Sequence, residues 1–173
     1  LRDQIVIGDS VRFSCRHALA QTAQHQGATY IPTKYLRAPL WSIQPVSVLL
    51  WRLYNRVPFG KMPVFRMARD DEVYLRELQR TQSHITGRFH GVCLSMLAQT
   101  PFLAVTSKTK KIQALISDVG LDERRIITGA QLRAQPDLVA PPFSDAELGN
   151  MQAYISEADR AANQLFDDIR ALL

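Results

Sequence analysis

The stretch Ile5–Ile31, IVIGDSVRFSCRHALAQTAQHQGATYI, holds a strand, a helix and a second strand in succession. Ile5-Val6-Ile7 is a β-branched run without polar alternation, the pattern of a strand covered on both faces, and it ends at Gly8. Residues 14–26 read as a helix, with Ala18, Leu19 and Ala23 apolar and Gly27 as the stop. Ala28–Ile31 is a second short strand closed by Pro32.

The same alternation continues to the end of the chain. Residues 32–63 are the least regular part, broken by Pro32, Pro39, Pro45, Pro58 and Pro63, with room for one short helix over Val46–Asn55. Val64–Met67 is a third strand, and Asp70 caps a helix to about Thr81. His84–Thr86 is a fourth strand, followed by a helix over about Gly91–Ala98. Phe102–Thr106 is a fifth, and Lys110–Val119 a helix stopped by Gly120. Arg125–Thr128 is a last strand, and 129–143, with Pro136, Pro141 and Pro142, a loop. Ser144-x-x-Glu147 is a capping box that opens a long helix. Its stripe runs through Met151, Tyr154, Ile155, Ala158, Ala162, Leu165, Ile169 and Leu172. Strand and helix in strict alternation predict an α/β domain: a Rossmann-like parallel sheet with helices on both faces. That domain spans 1–143, and the helix 144–173 is expected to pack on it.

Size and composition agree. The chain has 173 residues, 46% hydrophobic and 21% charged, enough for one domain with its own core. Cys15 and Cys93 are the only cysteines, which excludes a disulfide scaffold and a Cys-rich zinc site and suits a reducing cytoplasm. Both read as small core fillers. His17 and His25 read as surface residues. No run approaches the roughly 20 apolar residues of a membrane span, and no signal peptide is evident. The start at Leu1, without a Met, predicts a piece of a longer protein.

The net charge of +5 is unevenly spread. Residues 1–111 carry 16 Lys/Arg against 6 Asp/Glu, a balance of +10; residues 112–173 carry 5 against 10, a balance of −5. A basic front suits an anionic ligand. The cations are scattered arginines without a long basic run or an aromatic RNA-binding motif, so a small phosphorylated or carboxylated molecule fits better than nucleic acid. A merely basic surface is the plain alternative.

In open α/β sheets, ligands bind beyond the carboxyl ends of the strands. Those ends here are Gly8-Asp9-Ser10, Pro32-Thr33-Lys34, Met67-Ala68-Arg69, Gly87-Arg88-Phe89-His90 and Ser107-Lys108-Thr109. The densest is Ser83–Gly91, SHITGRFHG. Arg88 and His90 stand where a helix begins, and its backbone N–H groups favour an anion. Arg supplies a fork for a carboxylate or phosphate, and His exchanges protons near neutral pH. Gly87 and Gly91 allow a tight turn and close approach to a ligand. An ordinary strand–helix turn with a surface arginine is the alternative.

These residues resemble a family. His84-Ile-Thr-Gly87-Arg88-Phe-His90-Gly91 is followed by Thr100-Pro101-Phe-Leu-Ala-Val, then Lys108, then Asp118-Val-Gly120-Leu121. The succession is similar to the C-terminal half of the polysaccharide pyruvyl transferases, over less than a quarter of the chain. The resemblance implies half of a two-domain GT-B-like enzyme. Such an enzyme moves the pyruvyl group of phosphoenolpyruvate onto a pair of sugar hydroxyls in a bacterial exopolysaccharide, capsule or cell-wall polymer, with no metal or redox cofactor. By position, Arg88 would bind the donor's carboxylate or phosphate and His90 would act as acid/base, with Lys108 added as a phosphate contact. From the strand ends, and not from the family, Asp9, Ser10, Lys34 and Arg69 would line the cleft, with Asp9 a candidate base for an acceptor hydroxyl. Residues 1–62 match no motif of that family. Half of a GT-B nucleotide-sugar glycosyltransferase and a non-catalytic anion- or sugar-binding domain are the other expectations.

A second motif competes. Ile5-Val-Ile-Gly8-Asp9-Ser10 resembles the opening block of the GDS-type esterases, which would make Ser10 a nucleophile. The required Asp-x-x-His is absent, since Ser14, Thr22, Thr81 and Gly87 occupy the positions three before each histidine. Finally, Leu40–Phe59 sets Trp41, Trp51, Tyr54 and Phe59 beside Arg52 and Arg56. Residues 46–57 could touch the inner face of a membrane carrying a lipid-linked sugar acceptor. The simpler reading packs Val48, Leu49, Trp51 and Leu53 onto the sheet or a missing half.

Overall fold

A computed structural model describes residues 2–32, 44–55, 64–66, 70–106 and 110–171. Six strands form one sheet: β1 (Gln4–Ser10), β2 (Thr29–Tyr30), β3 (Val64–Phe65), β4 (Thr81–Gly87), β5 (Phe102–Val105) and β6 (Ile126–Ile127). The spatial order is β3-β2-β1-β4-β5-β6 and every pairing is parallel. This is the doubly wound Rossmann order. The chain leaves the centre along β1 toward one edge, then returns through β4 to build the other. The two halves diverge at β1 and β4, where Ile7 pairs with Ile85 and Ser10 with Gly87.

Among the described residues, seven α-helices accompany the strands: α1 (Phe13–Gln26), α2 (Gln44–Asn55), α3 (Asp71–Gln79), α4 (Phe89–Leu97), α5 (Lys111–Val119), α6 (Gly129–Ala134) and α7 (Asp145–Ala171). One face of the sheet, through Ile7, Tyr30, Ile85, Leu103, Val105 and Ile127, packs on α1, α2 and α6. The small side chains Ala18, Ala20 and Ala23 let α1 lie close to β1, and Trp51 of α2 meets Tyr30 edge to face at 5.2 Å. The opposite face carries two clusters. Val6 packs with Tyr74 and Leu78 of α3, while Phe102 and Ala104 pack with α4, α5 and Met151 of α7. Each fully buried Ile or Leu here contributes roughly 1.5–3 kcal/mol.

Several local signals act as the sequence indicates. Asp70 accepts from Val73 N at 2.7 Å, and Gly27 and Gly120 end α1 and α5 in the left-handed region at φ 62° and 72°. Glu147 and Ser144 exchange the two bonds of a capping box. Other elements differ from the expectation. β4 begins at Thr81 rather than His84, and α3 therefore stops at Gln79. Residues 129–143 are not all loop: α6 forms behind its own capping box, Thr128 with Gln131. The long helix packs on the domain through its beginning only. Glu147 and Met151 are buried, Leu148 and Tyr154 partly so, whereas Ala158, Ala162, Leu165 and Ile169 of the predicted stripe are exposed. A helix of 27 residues is about 40 Å long and outruns a sheet whose strands have at most seven. Cys15 is buried as expected, but Cys93 is only partly so.

The N-terminus of α7 is held by a buried ion pair. Arg125 is 1% exposed and donates from Nε to Glu147 Oε1 at 2.7 Å and from Nη2 to Oε2 at 2.9 Å. It also donates to the carbonyls of Pro141 and Pro142, and its guanidinium stacks 4.2 Å from the Phe143 ring. The guanidinium hydrogen bonds hold the Glu147 carboxyl down at about 2 against the desolvation that would raise it.

Candidate functional site

The carboxyl ends of β1 and β4 lie side by side, and the chain turns from each into a helix. Arg88 follows β4 directly and is the N-cap residue of α4; Asp9 is the penultimate residue of β1. They are 79 positions apart in sequence and meet as a bidentate pair, Nε to Oδ1 at 3.1 Å and Nη2 to Oδ2 at 2.6 Å. The Asp9 side chain is 5% exposed and that of Arg88 21%. A guanidinium has five N–H donors; Asp9 takes two, and among the described residues none accepts from the rest. Nη1 and one edge of Nη2 thus remain at the partly open end of the side chain.

The glycines make this junction possible, but not by the route expected. A Cβ on Gly87 would lie 2.6 Å from both Cβ and Oγ of Ser10, so the clearance serves the approach of β1 to β4. A Cβ on Gly91 would lie 2.7 Å from Thr86 Oγ1, and one on Gly8 2.8 Å from the same atom. Thr86 therefore fills a notch between Gly8 and Gly91, and its Oγ1 accepts from Arg88 N at 3.2 Å. Ser10 is fully buried, and its Oγ accepts from Arg12 N at 3.3 Å. A buried serine engaged in this way is a strand-end residue, which removes the structural basis for an esterase nucleophile.

Two helices open toward this junction. Neither α1 nor α4 has a side-chain cap at its N-terminus, and neither carries an acidic residue in its first turn. Arg12 stands at the start of α1 and exposed His90 in the first turn of α4, its ring edge to face with Phe89 at 5.9 Å. Both helix dipoles and these cations favour negative charge at the same end of the sheet.

Beneath Arg88 lies a polar chain that sequence reasoning missed. His84, fully buried, is 3.1 Å from Tyr74 Oη through Nε2 and 2.6 Å from Ser95 Oγ through Nδ1. Ser95 donates to the Gly91 carbonyl, so its oxygen accepts from His84 Nδ1–H, and Nε2 accepts from Tyr74. Burial pushes the imidazole down to about 3, which keeps it neutral. Burial and then the Asp9 charge push the Tyr74 phenol above its ordinary range. Gly8 leaves the room, since a Cβ there would be 3.2 Å from His84 Nε2.

The structure thus brings together Asp9, Ser10, Gly87, Arg88 and Gly91, with His90 on the adjoining helical turn. Lys34, Arg69 and Lys108 lie outside the described residues, as do Trp41, Arg56 and Phe59. His17 is less a surface residue than expected, because its Nδ1 donates to the Asn55 carbonyl at 2.7 Å; His25 is exposed and pairs with Asp137. Among the described residues, no group of three or more His, Cys, Asp or Glu could hold a metal ion, and no helix is long and apolar enough to cross a membrane. Known protein-family models and curated proteins give no match to this chain.

Proposed function

We propose that the crevice between β1 and β4 binds a small anion on Arg88, and that this anion is phosphoenolpyruvate, the donor for pyruvyl transfer to a saccharide. One observation carries the reading: a partly exposed arginine, fixed by a buried carboxylate, stands where the order of the Rossmann sheet reverses. Phosphoenolpyruvate carries a carboxylate and a phosphate on one carbon, so it calls for a guanidinium fork next to a second anion site. The uncapped starts of α1 and α4 supply that second attraction.

In this reading His90 gives a proton to the methylene carbon as a sugar oxygen adds to the enol carbon, and then takes up the proton that this hydroxyl sheds. A second hydroxyl displaces phosphate, which leaves with that hydroxyl's proton and closes the ketal. Asp9, tied to Arg88, serves the donor rather than the acceptor. The acceptor surface belongs to a second half of the enzyme, and the chain alone is the donor-binding part. Leu49 and Leu53, one turn apart and exposed on α2, are where a lipid-linked acceptor's membrane would be met.

Calorimetric titration of phosphoenolpyruvate into the chain and into Arg88→Ala tests this, with a uridine diphosphate sugar as control. Saturable binding of phosphoenolpyruvate that the variant loses is expected. Binding of the nucleotide sugar instead would replace pyruvyl transfer by glycosyl transfer.

A further inference from the structure

The Asp9–Arg88 pair raises a question of sign. A site meant for an anion holds a carboxylate 2.6 Å from its main cation, and the pair is formally neutral. If Asp9 were only one more charge near the ligand, it would weaken binding. The geometry gives it another task. Asp9 engages the side edge of the guanidinium, Nε and Nη2, and leaves the end edge, Nη1 and Nη2. That end edge is itself a planar fork, spaced for the two oxygens of a carboxylate. With Asp9 almost wholly buried and its strand packed closely on β4 at Ser10 and Gly87, the carboxylate that anchors the fork has little room to move.

We infer that Asp9 is a positioning residue: it fixes Arg88 so that the end edge of the guanidinium receives the planar carboxylate of the ligand. This deepens the proposed donor site and rests on it for the ligand's identity. The fork takes a pair of anionic oxygens, from a carboxylate or a phosphate alike. The carboxylate is assigned to it from the proposed donor, whose phosphate then faces the uncapped helix starts. An immobilised side chain loses little conformational freedom on binding, which offsets the repulsion from Asp9.

The test has a part that needs no ligand. In the 15N-labelled chain, Arg88 Nε–H should give a resolved resonance slow to exchange with water, and Asp9→Asn should lose that protection. A rapidly exchanging Arg88 in the unsubstituted chain would overturn the inference whatever the ligand is. Affinities of phosphoenolpyruvate and inorganic phosphate for the chain and for Asp9→Asn form the second part. The Asn side chain keeps the shape, and the thermal melt checks the fold. A roughly tenfold loss for phosphoenolpyruvate is expected, with inorganic phosphate weakened in the same direction. Equal or tighter phosphoenolpyruvate binding by Asp9→Asn would mean that Asp9 only repels, and would overturn the positioning role. A protected Arg88 with no binding of phosphoenolpyruvate by the unsubstituted chain would instead reject the donor assignment.

Discussion

Arg88 with Asp9 and Arg125 with Glu147 are the same chemical pair put to two uses. Both are bidentate, and both join segments distant in sequence. Around Arg125 the guanidinium is used up: Glu147 takes one edge, the Pro141, Pro142 and Phe102 carbonyls take the remainder, and Phe143 covers a face. Around Arg88 the described residues take one edge and leave the other at a crevice. A saturated, covered arginine holds structure together. A half-used arginine at a strand end is available for a ligand, and its carboxylate sets its direction.

The largest difference should appear when each pair is broken. Arg125→Ala leaves Glu147 buried without its partner and should cost about 3–5 kcal/mol in denaturant unfolding, with binding at the crevice unchanged where the fold survives. Arg88→Ala should cost less, because truncating the partly exposed arginine opens a gap that water can enter beside Asp9, while removing ligand binding. Equal stability losses would erase the contrast.

Acid sharpens it. Glu147 is held at about 2, below its ordinary 4.5, so its stabilising contribution is complete above pH 4.5 and disappears as pH falls toward 2. His84 acts at higher pH. With the folded imidazole at about 3, the unfolded chain takes up a proton that the folded one refuses, so stability declines as pH falls from about 6.5 toward 3. A pH series of melts should show both declines, and Glu147→Gln should remove the lower one alone.

Smaller effects test how the two corners are built. Gly87→Ala places a methyl on Ser10 and should cost roughly 1–3 kcal/mol by forcing β1 and β4 apart at the site. Pairing it with Ser10→Gly should restore most of that loss. On α7, Met151→Ala should cost about 2–5 kcal/mol, and Leu165→Ser, where the side chain is 58% exposed, less than about 0.5. A large loss at Leu165 would mean that the outer half of α7 is packed.

The sheet was legible in the sequence because β-branched and apolar runs end at Gly8, Pro32 and Gly87, and stop signals such as Gly27 and Gly120 are local. The start of β4 was not. Thr81, Ser83 and His84 are polar yet buried, and each is satisfied by a distant or helical partner: the Glu77 carbonyl, Ala140 N, and Tyr74 with Ser95. Such partners exist only once the chain is folded. α6 could have been found, since Thr128-x-x-Gln131 is a capping box in plain sequence. Arg88 and His90 stood out as a site through their spacing after a strand. The Asp9–Arg88 contact did not, because it depends on β1 neighbouring β4, and strand order is not encoded in periodicity. The stripe of α7 misled for a related reason: period shows which face is apolar, not whether the sheet extends far enough to cover it.

The central claim is the location of the anion. Phosphoenolpyruvate titrated into the 15N-labelled chain, followed by amide shifts, tests it most directly. Saturable shifts confined to residues 8–13 and 86–91 are the predicted result. Shifts centred instead on the open groove between α1 and α6, at Gln21, His25 and Arg133, or no saturable shifts, would contradict it.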